Sequence, residues 1–260
     1  MPTWDATLYL QFGNERTQPS IDLASRIAVQ SPRRIIDLGC GPGNSTEVLR
    51  RRWPEAEITG LDSSPEMIAA ATKAYPGGQW VLGDIATWEA ASPFDIVFSN
   101  AALQWVRDHA RVFPHLIQQV AKGGALAVQI PAHIASPLHQ LMLQIADEPR
   151  WRDRMAAAMH ALTMERPALY YEALKPQASR IELWETEYNH VMENSDAILE
   201  WIQGTGLRPF LEALASEEDK QDFLEKLRAG VARAYPRQYD GRVLFPFRRL
   251  FVVAYRWTSM

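Results

Sequence analysis

Directly behind the apolar run "RIIDL" (Arg34–Leu38) the chain reads Gly-Cys-Gly-Pro-Gly, and a helical pattern, "STEVLRRRW", begins two residues later. Three glycines in five residues remove side chains where a strand hands over to a helix. Glycine reaches positive φ without steric cost and lets another group approach the backbone with no Cβ in the way. Such a junction fits either a tight turn or a backbone cradle. In both cases it commits this part of the chain to strand–loop–helix units, and the rest of the sequence decides whether anything lies in the cradle.

The same rhythm repeats. "EITGLD" (Glu57–Asp62) reads as a second strand, followed by the helix "SPEMIAAATKAY", whose Ser64-Pro65 suits an N-cap and first turn. "QWVLGD", "FDIVFSNA" and "GGALAVQI" read as three more strands. Strands separated by single helices imply parallel crossovers in one sheet. The expected fold is α/β, a Rossmann-like seven-stranded, mostly parallel sheet with a helical cap contributed by the C-terminal half. Residues 30–131 form the core. Residues 132–178 and 192–243 carry helical patterns and make up the cap, and 179–191 and 244–257 are late strands completing a single domain over 1–260.

Composition narrows the partners. A net charge of −4 offers no global attraction for nucleic acid or an anionic membrane, and 47% hydrophobic with 22% charged residues is the balance of a globular protein. No uncharged apolar stretch reaches the roughly 18–20 residues that span a bilayer. The opening "MPTWDATLYLQF" lacks the pattern of a signal peptide, and Cys40 is the only cysteine, so a cytoplasmic location is expected. No Cys/His set has metal-ligand spacing, and Arg50-Arg51-Arg52 reads as a solvated cluster at a helix end.

Three aspartates accompany the glycines. Asp62 closes the second strand about 20 residues beyond the loop, where a carboxylate can accept both hydroxyls of a ribose. Asp84 closes the third strand and can accept from an adenine amino group, and Asp37, just ahead of the loop, is placed to face a cationic amine. Each alone is an ordinary strand-end residue; together they mark the carboxyl edge of one sheet, where open α/β sheets bind ligands. Asn44 with Glu47 three residues on resembles a capping box at the helix start. A dinucleotide fingerprint beginning at Gly39 or Gly41 would need glycine where Asn44 or Thr46 stands, and no Walker Gly-Lys-Ser/Thr follows. Pyrophosphate is therefore disfavoured, and an amino acid joined to a nucleoside fits better.

"DLGCGPGNST", "GLDSSPEMI", "GDIATW" and "FDIVFSNAALQW" resemble the successive motifs of class I S-adenosylmethionine-dependent methyltransferases over roughly residues 33–130. The resemblance implies S-adenosylmethionine as cofactor and a sheet whose last strand is antiparallel. It implies cofactor contacts from Asp37, Gly39, Gly41, Gly43, Asp62, Ser63, Asp84, Ile85, Asn100 and Ala101. "WDATLYLQFGNERTQP", "SNAALQWVRDH", "FPHL", "GLRPFL" and "RRLFVVAYR" also resemble a family that esterifies one carboxylate of trans-aconitate, a small polycarboxylate. Another acidic acceptor on the same fold, or a sensor that binds the cofactor without turnover, remain as alternatives.

Carboxylate methylation makes its own demands. The acceptor is ionised at neutral pH, with a pKa near 4, so no general base is expected; alignment carries the reaction. A polyanion calls instead for donors, arginine foremost because its fork engages a carboxylate bidentately. Arg208, between Gly206 and Pro209, is the leading anchor and is expected on a loop; otherwise it is a surface arginine. His133, just past the fifth strand, and the hydroxyl of Tyr170 (or its neighbour Tyr171) are further candidate donors, each with a structural role as its alternative. Gln104 and Trp105 follow the fourth strand, beside the expected methyl position. Tyr9, Gln11 and Arg16 are candidates for an N-terminal segment over the cofactor, while Trp4 and Phe12 are expected to pack.

Overall fold

A computed structural model describes residues 13–258, with side chains from residue 17 onward. Seven strands form one sheet in the order β3-β2-β1-β4-β5-β7-β6. They are β1 (Arg34–Leu38), β2 (Glu57–Asp62), β3 (Gln79–Leu82), β4 (Phe94–Asn100), β5 (Val120–Pro131), β6 (Ala178–Met192) and β7 (Val243–Arg256). The pairs β1·β2, β1·β4, β2·β3 and β4·β5 are parallel, as the alternation of strands and helices predicts, and β7 runs antiparallel to β5, as the family resemblance implies. β1, β4 and β5 are buried over most of their length, the expected state of parallel strands covered on both faces, which is why they read as predominantly apolar runs.

The helices in chain order are α1 (Gly13–Ser25), α2 (Asn44–Arg52), α3 (Pro65–Ala74), α4 (His109–Gln118), α5 (Pro137–Ala146), α6 (Arg152–Met159), α7 (Pro167–Leu174), α8 (Ser195–Gln203), α9 (Arg208–Ala213) and α10 (Glu217–Ala234), with a 3-10 turn at Leu103–Trp105. Ser64 caps α3 as expected, its hydroxyl accepting from the Met67 amide at 3.2 Å with Pro65 in the first turn. The capping box predicted for α2 is not formed. Its N-cap is Gly43 at φ 96°, a left-handed position where the asparagine side chain has no part, and Glu47 pairs with Arg51 at 3.0 Å instead.

The chain divides into two compact units. Of the described residues, the first takes in those up to Pro131, Thr163–Thr186 and those from Arg249 on; the second is Ala132–Leu162 with Glu187–Arg248. Helix α7, within the stretch expected to cap, thus belongs with the core. The second unit has its own core around Trp151, fully buried against Phe223, with its indole N–H donated to Asp219 at 3.1 Å. Arg150 and Arg154 also reach that carboxylate, at 2.6 and 3.1 Å. Among the described residues no helix is long and apolar enough to cross a membrane.

Candidate functional site

Strand order reverses between β1 and β4, and in open α/β sheets the crevice outside the carboxyl ends of such a pair is the place for a ligand. The glycine loop occupies it. The amides of Gly39 and Cys40 both donate to the Leu61 carbonyl, at 2.7 and 3.0 Å, which ties the loop to the end of β2. Gly39, Gly41 and Gly43 all have positive φ. A Cβ on Gly39 would collide with the Cβ of Ala102, so the loop passes against the end of β4 without clearance. A Cβ on Gly41 would meet nothing within 4 Å, so the loop's middle faces open space.

The carboxylates then have distinct duties. Asp62 accepts from the Gly41 amide on one oxygen and from the Ser64 amide on the other, both at 2.9 Å, so it shapes the loop; burial raises its pKa. Exposed Ser63 lies beside it. Asp37 is wholly buried. Its Oδ2 accepts from the hydroxyls of Ser45 and Thr46 at 2.6 and 2.7 Å, while none of the described residues bonds its Oδ1. Desolvation pushes its pKa up to about 6, against the pull of those hydroxyls. Asp84 is exposed and accepts from the Ala86 amide at 2.9 Å, closing a turn that brings buried Ile85 to within van der Waals reach of Gly39.

At the end of β4, Asn100 is buried with its Oδ1 unpartnered among the described residues, and Ala101 is held at φ 54°, a position that strains any residue but glycine. Gln104 contributes to holding it, its amide donating to the Ala101 carbonyl at 2.6 Å while its own Oε1 stays unpartnered among the described residues. A cavity here is lined by Thr17, Ser20, Gly39, Cys40, Pro42, Asn44, Ser45 and Asn100, with Asp37 one hydrogen bond behind Ser45. Thr17 and Ser20 on α1 went unread in the sequence; two hydroxyl residues three apart on one helix face were the available signal. Ser20 is fully buried with its hydroxyl unsatisfied among the described residues. Ser20 and Asn100 line the cavity and Asp37 lies behind it, and Ser20 Oγ, Asn100 Oδ1 and Asp37 Oδ1 are each without a hydrogen-bond partner among the described residues. The amide and carboxylate oxygens can only accept, which suits an ammonium group, all donors; the serine hydroxyl can accept or donate.

The other candidates are dispersed. Trp105 is half-buried beside Gln104. Tyr170 is a correction: it is fully buried and its hydroxyl is already committed. His109 Nε2 donates to the Leu103 carbonyl at 2.9 Å, so its Nδ1 accepts from the Tyr170 hydroxyl at 2.8 Å. That hydroxyl in turn accepts from the Glu165 amide at 3.0 Å, leaving nothing for a substrate. Tyr171 is exposed. His133 and Arg208 belong to the second unit. His133 meets His139 edge to face, ring centroids 4.7 Å apart, and burial with that neighbour brings His139 down to about 4. Arg208 is not on a loop: with Pro209 in the first turn it opens α9, only 12% exposed, its Nε 3.6 Å from Glu212. Tyr9, Gln11, Trp4 and Phe12 lie outside the described residues, as does the side chain of Arg16.

Residues 35–124 match the family described as a methyltransferase domain. Among solved structures, the YcgJ protein of Bacillus subtilis superposes with a TM-score of 0.62 at 12% identity, over 93% of this chain and all of that one. Phosphoethanolamine N-methyltransferase 2 of Haemonchus contortus, solved with S-adenosyl-L-methionine, gives 0.60 at 14% identity over 96% of this chain and 56% of that one. The fold is Rossmann-like, and the matched methyltransferase domain lies in its glycine-loop core. The trans-aconitate 2-methyltransferase of Azoarcus sp. is 45% identical over 98% of this chain and 100% of its own length. That of Rhodopseudomonas palustris is 46% identical over 98% and 99%. The chain belongs to the trans-aconitate 2-methyltransferase family.

Proposed function

We propose that this protein moves the methyl group of S-adenosylmethionine onto a carboxylate of trans-aconitate, giving the monomethyl ester and S-adenosylhomocysteine. The observation that carries the reading is that the similarity to relatives of that name, 45% identity over 98% of the chain, extends over both units and is not confined to the glycine-loop core. The unpartnered carboxylate oxygen of Asp37 and amide oxygen of Asn100 support it, because acceptors suit the ammonium of the cofactor's amino-acid end.

In this reading Asp37 and Asn100 hold the ammonium, Gly39, Gly41 and Gly43 floor the crevice, and Asp62 with Ser63 takes the ribose. Asp84 and Ile85 border the adenine, and Ala101 closes the methionine side. When bound, S-adenosylmethionine supplies a methyl already activated on a sulfonium. The acceptor carboxylate is ionised at neutral pH, so no residue has to remove a proton. The chain's task is alignment, which Gln104 and Trp105 serve beside the strained Ala101 peptide. In the second unit Arg208 is read as the anchor of a substrate carboxylate and His133 as an additional donor. Arg208→Ala is expected to raise the KM for trans-aconitate about tenfold or more, the weight of one charge-assisted hydrogen bond, with cofactor affinity unmoved; steady-state kinetics beside calorimetry checks it.

The test of the function is methyl transfer from S-adenosylmethionine to trans-aconitate, cis-aconitate, isocitrate and citrate, with the product's ester located by mass spectrometry. The expected product is the trans-aconitate monoester. Preference for a different acid would overturn the assignment of substrate. Thermal stabilisation by the cofactor with no S-adenosylhomocysteine from any acceptor would overturn catalysis itself.

A further inference from the structure

A row of buried polar side chains crosses the first unit's sheet on one face. Paired residues of neighbouring strands point the same way, and alternate residues along a strand share a face. Asp37 is opposite Phe98, Asn100 is opposite Gln129, and Arg249 is opposite Pro131, two residues beyond Gln129. Asp37, Asn100, Gln129 and Arg249 therefore share a face, and each is less than 9% exposed. Gln129 interrupts the apolar run from Ala125 to Ile130 in β5, and the Arg249 guanidinium donates to its Oε1 at 3.2 Å. This leaves the Gln129 Nε2, buried at 0% exposure, without a hydrogen-bond partner among the described residues.

The row is chemically divided. Over β1 and β4 it presents unsatisfied acceptors, Asp37 Oδ1 and Asn100 Oδ1; over β5 and β7 it presents donors, Gln129 Nε2 and the guanidinium. Burying a guanidinium is a poor way to stabilise a sheet, since apolar residues of similar volume do as well or better. With strands about 4.8 Å apart and about 3.3 Å of rise per residue, the Arg249 Cα lies about 12 Å from that of Asn100, toward the carboxyl edge. That is a suitable span for gripping the far end of a small acid whose near carboxylate is at the methyl position.

We propose that Arg249, oriented by Gln129, is a specificity-determining donor for a non-reacting carboxylate of the acceptor. The inference rests on the function proposed above. Arg249 contacts the substrate; Gln129 is the positioning residue, its carbonyl oxygen fixing the plane of the guanidinium.

The experiment compares kcat/KM for trans-aconitate and for mesaconate, in which the carboxymethyl arm is replaced by a methyl group. Wild-type protein, Arg249→Lys, Arg249→Met and Gln129→Leu are measured, with calorimetric cofactor affinity and thermal melts for each. The wild type is expected to favour the tricarboxylate strongly. Both Arg249 variants should shrink that preference about tenfold or more, the weight of a charge-assisted contact, with cofactor affinity within twofold of wild type. Gln129→Leu should move the preference in the same direction by less, and it decides the matter if the Arg249 variants do not fold. An unchanged preference in folded variants of an active enzyme would overturn the inference and leave the proposed function standing. A preference unchanged while cofactor affinity falls would overturn it too, assigning the donors to the cofactor. A wild type inactive on trans-aconitate would sink both.

Discussion

Asp37→Asn is expected to weaken S-adenosylmethionine binding about a hundredfold while leaving the protein folded, and to remove a pH dependence from its stability. The hydroxyls of Ser45 and Thr46 need an acceptor, and an asparagine carbonyl oxygen serves them in place of Oδ2. The amide nitrogen then takes the place of the unpartnered Oδ1, turning N–H donors toward the ammonium that the carboxylate would hold. Losing a charge-assisted hydrogen bond is worth about 1.5–3 kcal/mol, and donor facing donor adds to it. The stability arm follows from the raised pKa. Below about pH 4, Asp37 is protonated in folded and unfolded chains alike and costs nothing. As pH rises toward about 6 the unfolded chain ionises first, so stability falls, and above that the loss is constant. A rise from 3.8 to about 6 corresponds to roughly 3 kcal/mol, at about 1.4 kcal/mol per pH unit. Cofactor affinity moves the opposite way and rises through pH 6, because the cation selects the ionised form. Denaturant melts between pH 4 and 8 and calorimetry at both ends check the two signs. Cofactor affinity equal to wild type would reduce Asp37 to a strut for α2.

The strand that carries Asp37 was fully legible. β1 and β2 have the bounds read from the sequence, Arg34–Leu38 and Glu57–Asp62, because the apolar residues at their centres mark strands of a covered parallel sheet. Legibility fades toward the edges. β3 stops at Leu82, two residues short of Asp84: the Gly83 amide still donates to the Asp62 carbonyl at 2.9 Å, but the pairing ends with Asp62 and Leu82, where β2 itself ends. β7 starts at Val243, one residue before the expected 244, and runs through Pro246. The glycine loop announced a cradle, but the α2 cap was misread: Asn44 has the right chemistry, and the left-handed Gly43 took the position. Tyr170 was misassigned because its hydroxyl's partner is His109, 61 residues away, a pairing that no local pattern encodes. Gln129 and Arg249 escaped for the same reason, since a single polar residue in an apolar strand acquires meaning only from a register set 120 residues along the chain.

Two glycine replacements separated by one residue should fail in opposite ways. Gly39→Ala drives a Cβ into Ala102 and forces alanine to φ 73°. Overpacking costs about 1–3 kcal/mol and the left-handed backbone about 1–2 kcal/mol, so the melting temperature is expected to drop by about 5–15 °C, at about 2–4 °C per kcal/mol for a chain of this size. Adding Ala102→Gly should restore the packing share and leave the backbone share, which a double-mutant cycle resolves. Gly41→Ala bears a similar strain at φ 54°, but its Cβ meets no protein atom within 4 Å. It should lose only about 1–2 kcal/mol of stability, yet weaken cofactor binding tenfold or more, because the new methyl projects into the space the nucleoside needs. Gly39 is then a glycine required by the protein's own packing and Gly41 one required by the ligand. Wild-type cofactor affinity in a folded Gly41→Ala protein would mean that the loop is only a tight turn, and the crevice would lose its floor.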